Sequence, residues 1–161
     1  MRNTTLCHIE KDGKYLMIRR NKKQNDLNHD KYIAPGGKFE DKESPEQANR
    51  REVKEETGLT LINANYRGIV TFVSDIWETE YMHIFTSDSF DGSITECDEG
   101  ELVWVDKQEL LSLPIWKGDK IFLKLINDPL YPFFSLRLEY KGETLISAIL
   151  NEKALDLGGV I

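Results

Sequence analysis

Glu52, Glu55 and Glu56 stand at i, i+3 and i+4 within the run 44–58, and in a helix that spacing brings all three carboxylates onto one face. Like charges that close destabilise a bare helix by a few tenths of a kcal/mol per pair, so a cation is expected among them. Oxygen-only ligands suit a hard divalent ion such as Mg2+ or Mn2+ better than zinc, which prefers His and Cys. The ordinary alternative is a solvated acidic face partnered by Arg50, Arg51 and Lys54. That alternative leaves the preceding Gly36-Gly37 pair, the spaced Glu43 and the sharp helix ends without a reason.

The element that must hold these carboxylates is written out residue by residue. Ser44 is a good N-cap, Pro45 suits the first helical position, and Gln47 stands where a capping box places Glu or Gln. Gly58 can take the left-handed conformation that ends a helix. A helix over 45–57 follows.

With Gly37 and Glu43 in front of it, this helix resembles the Nudix box, G-x5-E-x7-R-E-U-x-E-E-x-G-U, where U is a bulky aliphatic residue. Gly37, Glu43, Arg51, Glu52, Val53, Glu55, Glu56, Gly58 and Leu59 match without a gap or substitution. The resemblance implies a loop–helix–loop that holds Mg2+, with Mn2+ as a substitute, for attack on a nucleoside diphosphate linked to another group. It makes Glu52, Glu55 and Glu56 metal ligands together with the Gly37 carbonyl. It makes Glu43 and Arg51 structural, the arginine fixing the loop against the helix.

A chain of 161 residues has the length of a single domain, and one Nudix hydrolase domain over 1–161 is expected. No apolar run approaches the roughly 20 residues needed to span a bilayer. The start, MRNTTLCHIEKDG, has no secretory h-region, so a cytoplasmic location is expected. Cys7 and Cys97 form no C-x-x-C pair, which indicates neither a zinc site nor a redox motif. The net charge of −7 argues against nucleic-acid polymers as partners, since these need basic patches. It also sets acidic protein against phosphate substrate, a repulsion that divalent metal relieves. Nothing in the sequence chooses between a monomer and a homodimer.

Along the chain, 4–10 and 15–19 read as strands around the turn 11–14. Arg19, Arg20, Lys22 and Lys23 form the densest basic cluster, read either as a solvated loop or as a phosphate-steering patch, with Arg19 and Lys23 as candidate substrate contacts. Segment 21–31 reads as a mobile loop, and 32–35 as an extended entry to the glycine pair. One long or bent strand is expected over 59–73, with 80–87 its antiparallel partner. His83 in that partner reads as a packed side chain rather than a ligand. An acidic loop over 89–100 precedes a strand over 101–106 with Trp104 buried. A short helix over 107–113, an amphipathic helix over 119–127 and a hairpin over 133–150 follow. From Asn151 onward weak periodicity predicts poor order. This order of elements is an α+β fold with a mixed, curled sheet between helices, and the resemblance implies an α/β/α sandwich with the box helix packed on the sheet.

The box defines a reaction class, not a substrate. Outside it, the segments RRNKKQND, CDEGELVWV, PIWKGD and PFFS are similar to the MutT-like 8-oxo-dGTP diphosphatases and their MutX branch. That resemblance implies Trp116 and Asp119 as base-holding residues: an aromatic face can stack a purine, and a carboxyl group can bond its edge. The alternative places Trp116 in the core and Asp119 as a helix cap. Where some relatives carry a purine-reading Asn just ahead of the box, this chain has Ile33. Glu99 is a candidate to complete the metal shell or act as general base, with Asp98 and Glu96 beside it. The implied reaction is Mg2+-assisted attack of water on the β-phosphorus of a nucleoside triphosphate, yielding monophosphate and pyrophosphate. Other nucleoside diphosphate derivatives, or a non-catalytic nucleotide-sensing role, are the competing expectations.

Overall fold

The computed structural model describes residues 1–23 and 26–160. Strands β1 (Arg2–Lys11), β2 (Lys14–Arg19) and β3 (Tyr32–Ile33) precede helix α1 (Pro45–Thr57). Strands β4 (Thr60–Leu61), β5 (Asn65–Ser74), β6 (Glu80–Ser87), β7 (Phe90–Asp91) and β8 (Glu101–Asp106) follow, then helices α2 (Lys107–Leu110) and α3 (Asp119–Leu125). The chain continues through β9 (Phe134–Lys141), β10 (Thr144–Leu150), β11 (Lys153–Ala154) and α4 (Leu157–Val160).

The main sheet runs β11-β10-β9-β5-β6-β1-β2-β3, with β8 also paired to β2. It is mixed: β1 lies parallel to β6 and β5 parallel to β9, while the hairpin pairs are antiparallel. Asp12 and Gly13 both have positive φ, 53° and 75°, as a two-residue hairpin turn that matches strand twist requires. Adjacent residues on a strand face opposite sides of the sheet, and the two faces bury separate cores. Ile84 joins Val70, Leu136, Phe122 and Trp116 on the side of α3. Phe85 joins Cys7, Ile9, Leu16 and Val53 on the side of α1. Two helical layers around a mixed sheet make the expected α+β sandwich.

Helix α1 starts and ends as its caps dictate. The Ser44 side chain accepts from Gln47 N–H and the Gln47 side chain from Ser44 N–H, and Gly58 closes the helix at φ 83°. Its inner face is Ala48, Asn49, Val53 and Thr57, which leaves Glu52, Glu55 and Glu56 toward the loop carrying the glycine pair.

Several expectations are corrected. The 59–73 segment is two strands, because Asn63 Oδ1 accepts from Ser87 Oγ, Asp88 N–H and Ser89 N–H and so forces a turn between them. The acidic loop contains β7, which pairs with β4. Trp104 is half-buried, stacked on Phe90 at 6.1 Å. The tail is not structureless. Asn151 and Glu152 take positive φ and reverse the chain, so that β11 pairs with β10, and Asn151 exchanges hydrogen bonds with the Ser135 main chain. Position 161 lies outside the described residues. So do positions 24 and 25 of the expected mobile loop, whose remaining part is tied back by Asp30 N–H to the Arg20 carbonyl at 2.7 Å. No helix among the described residues is long and apolar enough to cross a membrane.

Candidate active site

The loop before α1 docks edge-on against β1. Cys7 N–H donates to the Pro35 carbonyl at 2.8 Å and Thr5 N–H to the Gly37 carbonyl at 2.9 Å. Such an approach needs glycine. A Cβ on Gly36 would lie 1.7 Å from the Thr5 carbonyl oxygen, and one on Gly37 would lie 2.5 Å from the Glu52 carboxyl. The glycine pair thus brings main chain against β1 on one side and lets the Glu52 carboxylate rest on it from the other.

Arg51 ties loop to helix. Its Nε and Nη2 grip both Glu43 oxygens at 2.7 and 2.9 Å, and Nη2 also reaches the Lys38 carbonyl at 2.9 Å. Its Nη1 touches Glu52 at 2.8 Å and Glu55 at 3.2 Å. The planar fork suits such bidentate capture of a carboxylate, and it holds the Glu43 carboxyl below the usual carboxylate range. Glu56 points inward, where its Oε1 accepts from Gly36 N–H at 2.7 Å.

Glu52, Glu55, Glu56 and Glu99 line one groove of about 630 Å³, with the glycine pair as its floor. Burial pushes the Glu56 carboxyl up to about 8, and the charges of Glu52 and Glu99 add to the effect. Glu52 is pushed up as well, chiefly by burial. Crowded, half-buried carboxylates of this kind are an environment that a cation relieves. The donors gathered are carboxylate oxygens, which fits a hard divalent ion. Among the described residues, however, no three acidic, His or Cys side chains already converge as a ligand set. Glu52 and Glu55 are turned onto Arg51, and Glu56 onto the Gly36 amide. The Gly37 carbonyl, an expected ligand, already accepts from Thr5 and has one lone pair left for an ion.

Glu99 stands across the groove, held by Arg20 Nη2 at 2.6 Å and Lys23 Nζ at 3.0 Å. Asp98 lines the groove too, whereas Glu96 does not. Of the basic cluster, the groove receives Arg20 rather than Arg19, which is exposed at the end of β2. Lys23 is present only through its ion pair with Glu99. His83 is a packed residue between Tyr66, Asn3 and Phe39, away from the groove.

A second, mostly apolar pocket of about 90 Å³ opens beside the groove, and the two share Leu6, Leu27, Asn28 and Ile33 as walls. Trp116 and Asp119 both line it. Trp116 is only 6% exposed and meets Phe72 and Tyr140 edge to face, so it is core and pocket wall at once. Burial pushes the Asp119 carboxyl up to about 8, against the opposing charge of Lys31. The unfolded chain loses that proton near the ordinary 3.8, so between the two values the folded state holds the extra proton. Stability should therefore fall as pH rises through that window. Asp119→Asn removes this slope: its Tm should exceed the parent's by about 5 °C above pH 8 and match it near pH 4 in thermal unfolding followed by circular dichroism. An equal offset at both pH values would contradict the assignment.

Asn28, Trp77 and the Arg2–Glu80 pair are wall residues that sequence reasoning missed. Arg20 was in the recognised basic cluster, with no local signal to separate it from Arg19.

A glycine-floored groove of carboxylates on a capped helix, against a mixed sheet between helices, defines a class, and sequence comparison agrees. Residues 1–126 match the NUDIX domain family, and the chain belongs to that family. It is a Nudix hydrolase, a kind of enzyme that acts on small nucleotide substrates. The Nudix hydrolase YvcI of Bacillus subtilis is 33% identical over 124 residues, covering 74% of this chain and 75% of that protein. The oxidized purine nucleoside triphosphate hydrolase of Danio rerio is also 33% identical over 124 residues, covering 76% of this chain and 77% of its own length. The crystal structure of a MutT protein from Bacillus halodurans matches with a TM-score of 0.83 at 27% identity, over 94% of this chain and 98% of that one.

Proposed function

We propose that this chain, acting as one domain over 1–161, hydrolyses an oxidised purine nucleoside triphosphate, 8-oxo-dGTP foremost, to the monophosphate and pyrophosphate. The observation that carries this reading is the shared wall between the carboxylate groove and the apolar pocket containing Asp119. One cavity suits a metal-bound polyphosphate and the other a flat, partly polar base. The names of the Danio rerio and Bacillus halodurans relatives point the same way.

Glu52, Glu55 and Glu56 would hold Mg2+, releasing Arg51 from Glu52 and Glu55. The ion, when bound, neutralises phosphate charge and lowers the pKa of water. The protein's own groups do the rest. The glycine pair lets the Glu52 carboxylate rest against main chain at the groove floor, and Arg20 supplies positive charge beside Glu99 where negative charge develops. A groove carboxylate, with Glu99 opposite the helix as the candidate, takes the proton of the attacking water. The new bond forms at the β-phosphorus and the bridge to the α-phosphate breaks, leaving pyrophosphate. Apolar walls and the Asp119 carboxyl orient the base.

Pyrophosphate release measured with Mg2+ over a nucleotide panel tests this. The expected result is a kcat/KM for 8-oxo-dGTP more than about tenfold above that for dGTP. A smaller preference defeats the oxidised-purine reading, and faster turnover of another nucleotide names its replacement.

A further inference from the structure

Asn28 sits in the turn between the groove and the pocket and lines both. Its Oδ1 accepts a hydrogen bond of 2.7 Å from Trp116 Nε1. An indole N–H is a donor only, so this bond determines which end of the amide is oxygen. Nδ2, carrying two donors, has no hydrogen-bond partner among the described residues. The backbone beneath it is held: Asn28 N–H donates to Asp26 Oδ1 at 3.1 Å, and Asp26 Oδ2 accepts from Arg20 Nε at 2.7 Å. Lys31 N–H closes the turn onto the Asn28 carbonyl at 2.9 Å. The amide is therefore placed from both sides, by a core tryptophan and by an anchored turn, with its donor end uncommitted.

We infer that Asn28 is a specificity-determining residue, its Nδ2 donating to a carbonyl oxygen of the substrate's purine ring. This rests on the proposed hydrolysis of purine nucleoside triphosphates at the same site. A fixed donor favours bases with an oxygen at C6 or C8. Adenine offers an amino group at C6, so donor meets donor and the base binds without that bond. Sites built around such a bond reject analogues lacking it more strongly than apolar fit can.

The test measures kcat/KM for dATP, dITP and 8-oxo-dATP with the parent enzyme, Asn28→Asp and Asn28→Ala. dITP reports on an oxygen at C6 and 8-oxo-dATP on one at C8. Asp retains an oxygen for Trp116 Nε1 and deletes the donor, whereas Ala deletes both. In the parent enzyme one or both oxo bases should be preferred to dATP. Both variants should lower that ratio by about 10- to 100-fold, mainly through KM. A loss seen only in Asn28→Ala overturns the inference and leaves Asn28 as a brace for Trp116. No parent preference for either oxo base over dATP overturns it too, while triphosphate hydrolysis stands. No hydrolysis of any nucleoside triphosphate removes the functional reading itself, and this inference with it.

Discussion

Replacing Glu56 by glutamine is expected to lower kcat by about 10²–10³-fold while leaving the fold intact. Glu56 is the innermost carboxylate of the groove, and its Oε1 accepts from Gly36 N–H. Glutamine keeps an oxygen for that bond, so the glycine floor stays in place. What disappears is a carboxyl group that a bound cation would draw into its charged form, beside Glu52 and Glu99, whose repulsion contributes to raising the Glu56 pKa. A cation held by fewer charges binds more weakly, and excess Mg2+ should restore only part of the rate. Steady-state pyrophosphate release paired with circular dichroism checks both halves. A variant within tenfold of the parent rate would remove Glu56 from the machinery.

Gly36→Ala should act on stability instead. Its new Cβ would lie 1.7 Å from the Thr5 oxygen and 2.6 Å from the Thr5 carbonyl carbon. Both atoms are backbone, and β1 cannot retreat because its other edge is paired along its length to β6. Separation of the loop from β1 would break the hydrogen bonds of Cys7 to Pro35 and Thr5 to Gly37. A loss of about 3 kcal/mol is expected, seen as a Tm lower by about 10 °C. Gly37→Ala is the contrast, because its Cβ meets the far end of the Glu52 side chain, which can swing aside. That variant should fold and lose activity. Equal Tm values for Gly36→Ala and the parent would mean that the loop does not dock on β1 this closely.

The features legible in the sequence are those written locally. Ser44, Gln47 and Gly58 cap α1 within a few residues of themselves, and the spacing of Glu52, Glu55 and Glu56 follows from helical geometry alone. The alternating strands and the 11–14 turn are local in the same sense. What escaped depends on partners far along the chain. Asn28 meets Trp116 across 88 positions, and Asn63 breaks the expected strand only because Ser87, Asp88 and Ser89 turn toward it. The tail pairs with β10 because two residues, Asn151 and Glu152, adopt positive φ that their types do not demand. The basic cluster was visible, yet selecting Arg20 over Arg19 requires knowing where β2 ends and the chain folds back to Lys31. Trp116 resisted assignment for a plainer reason: it packs in the core and lines the pocket together.

The central claim is that Glu52, Glu55 and Glu56 hold a divalent cation. The most direct measurement is an anomalous difference map from crystals grown with Mn2+, compared with the same map for Glu56→Gln. The account predicts a peak in the groove between these carboxylates and the Gly37 carbonyl, with Arg51 withdrawn from Glu52, and a weaker peak in the variant. Carboxylates still paired with Arg51, and no ion among them at saturating Mn2+, would contradict it.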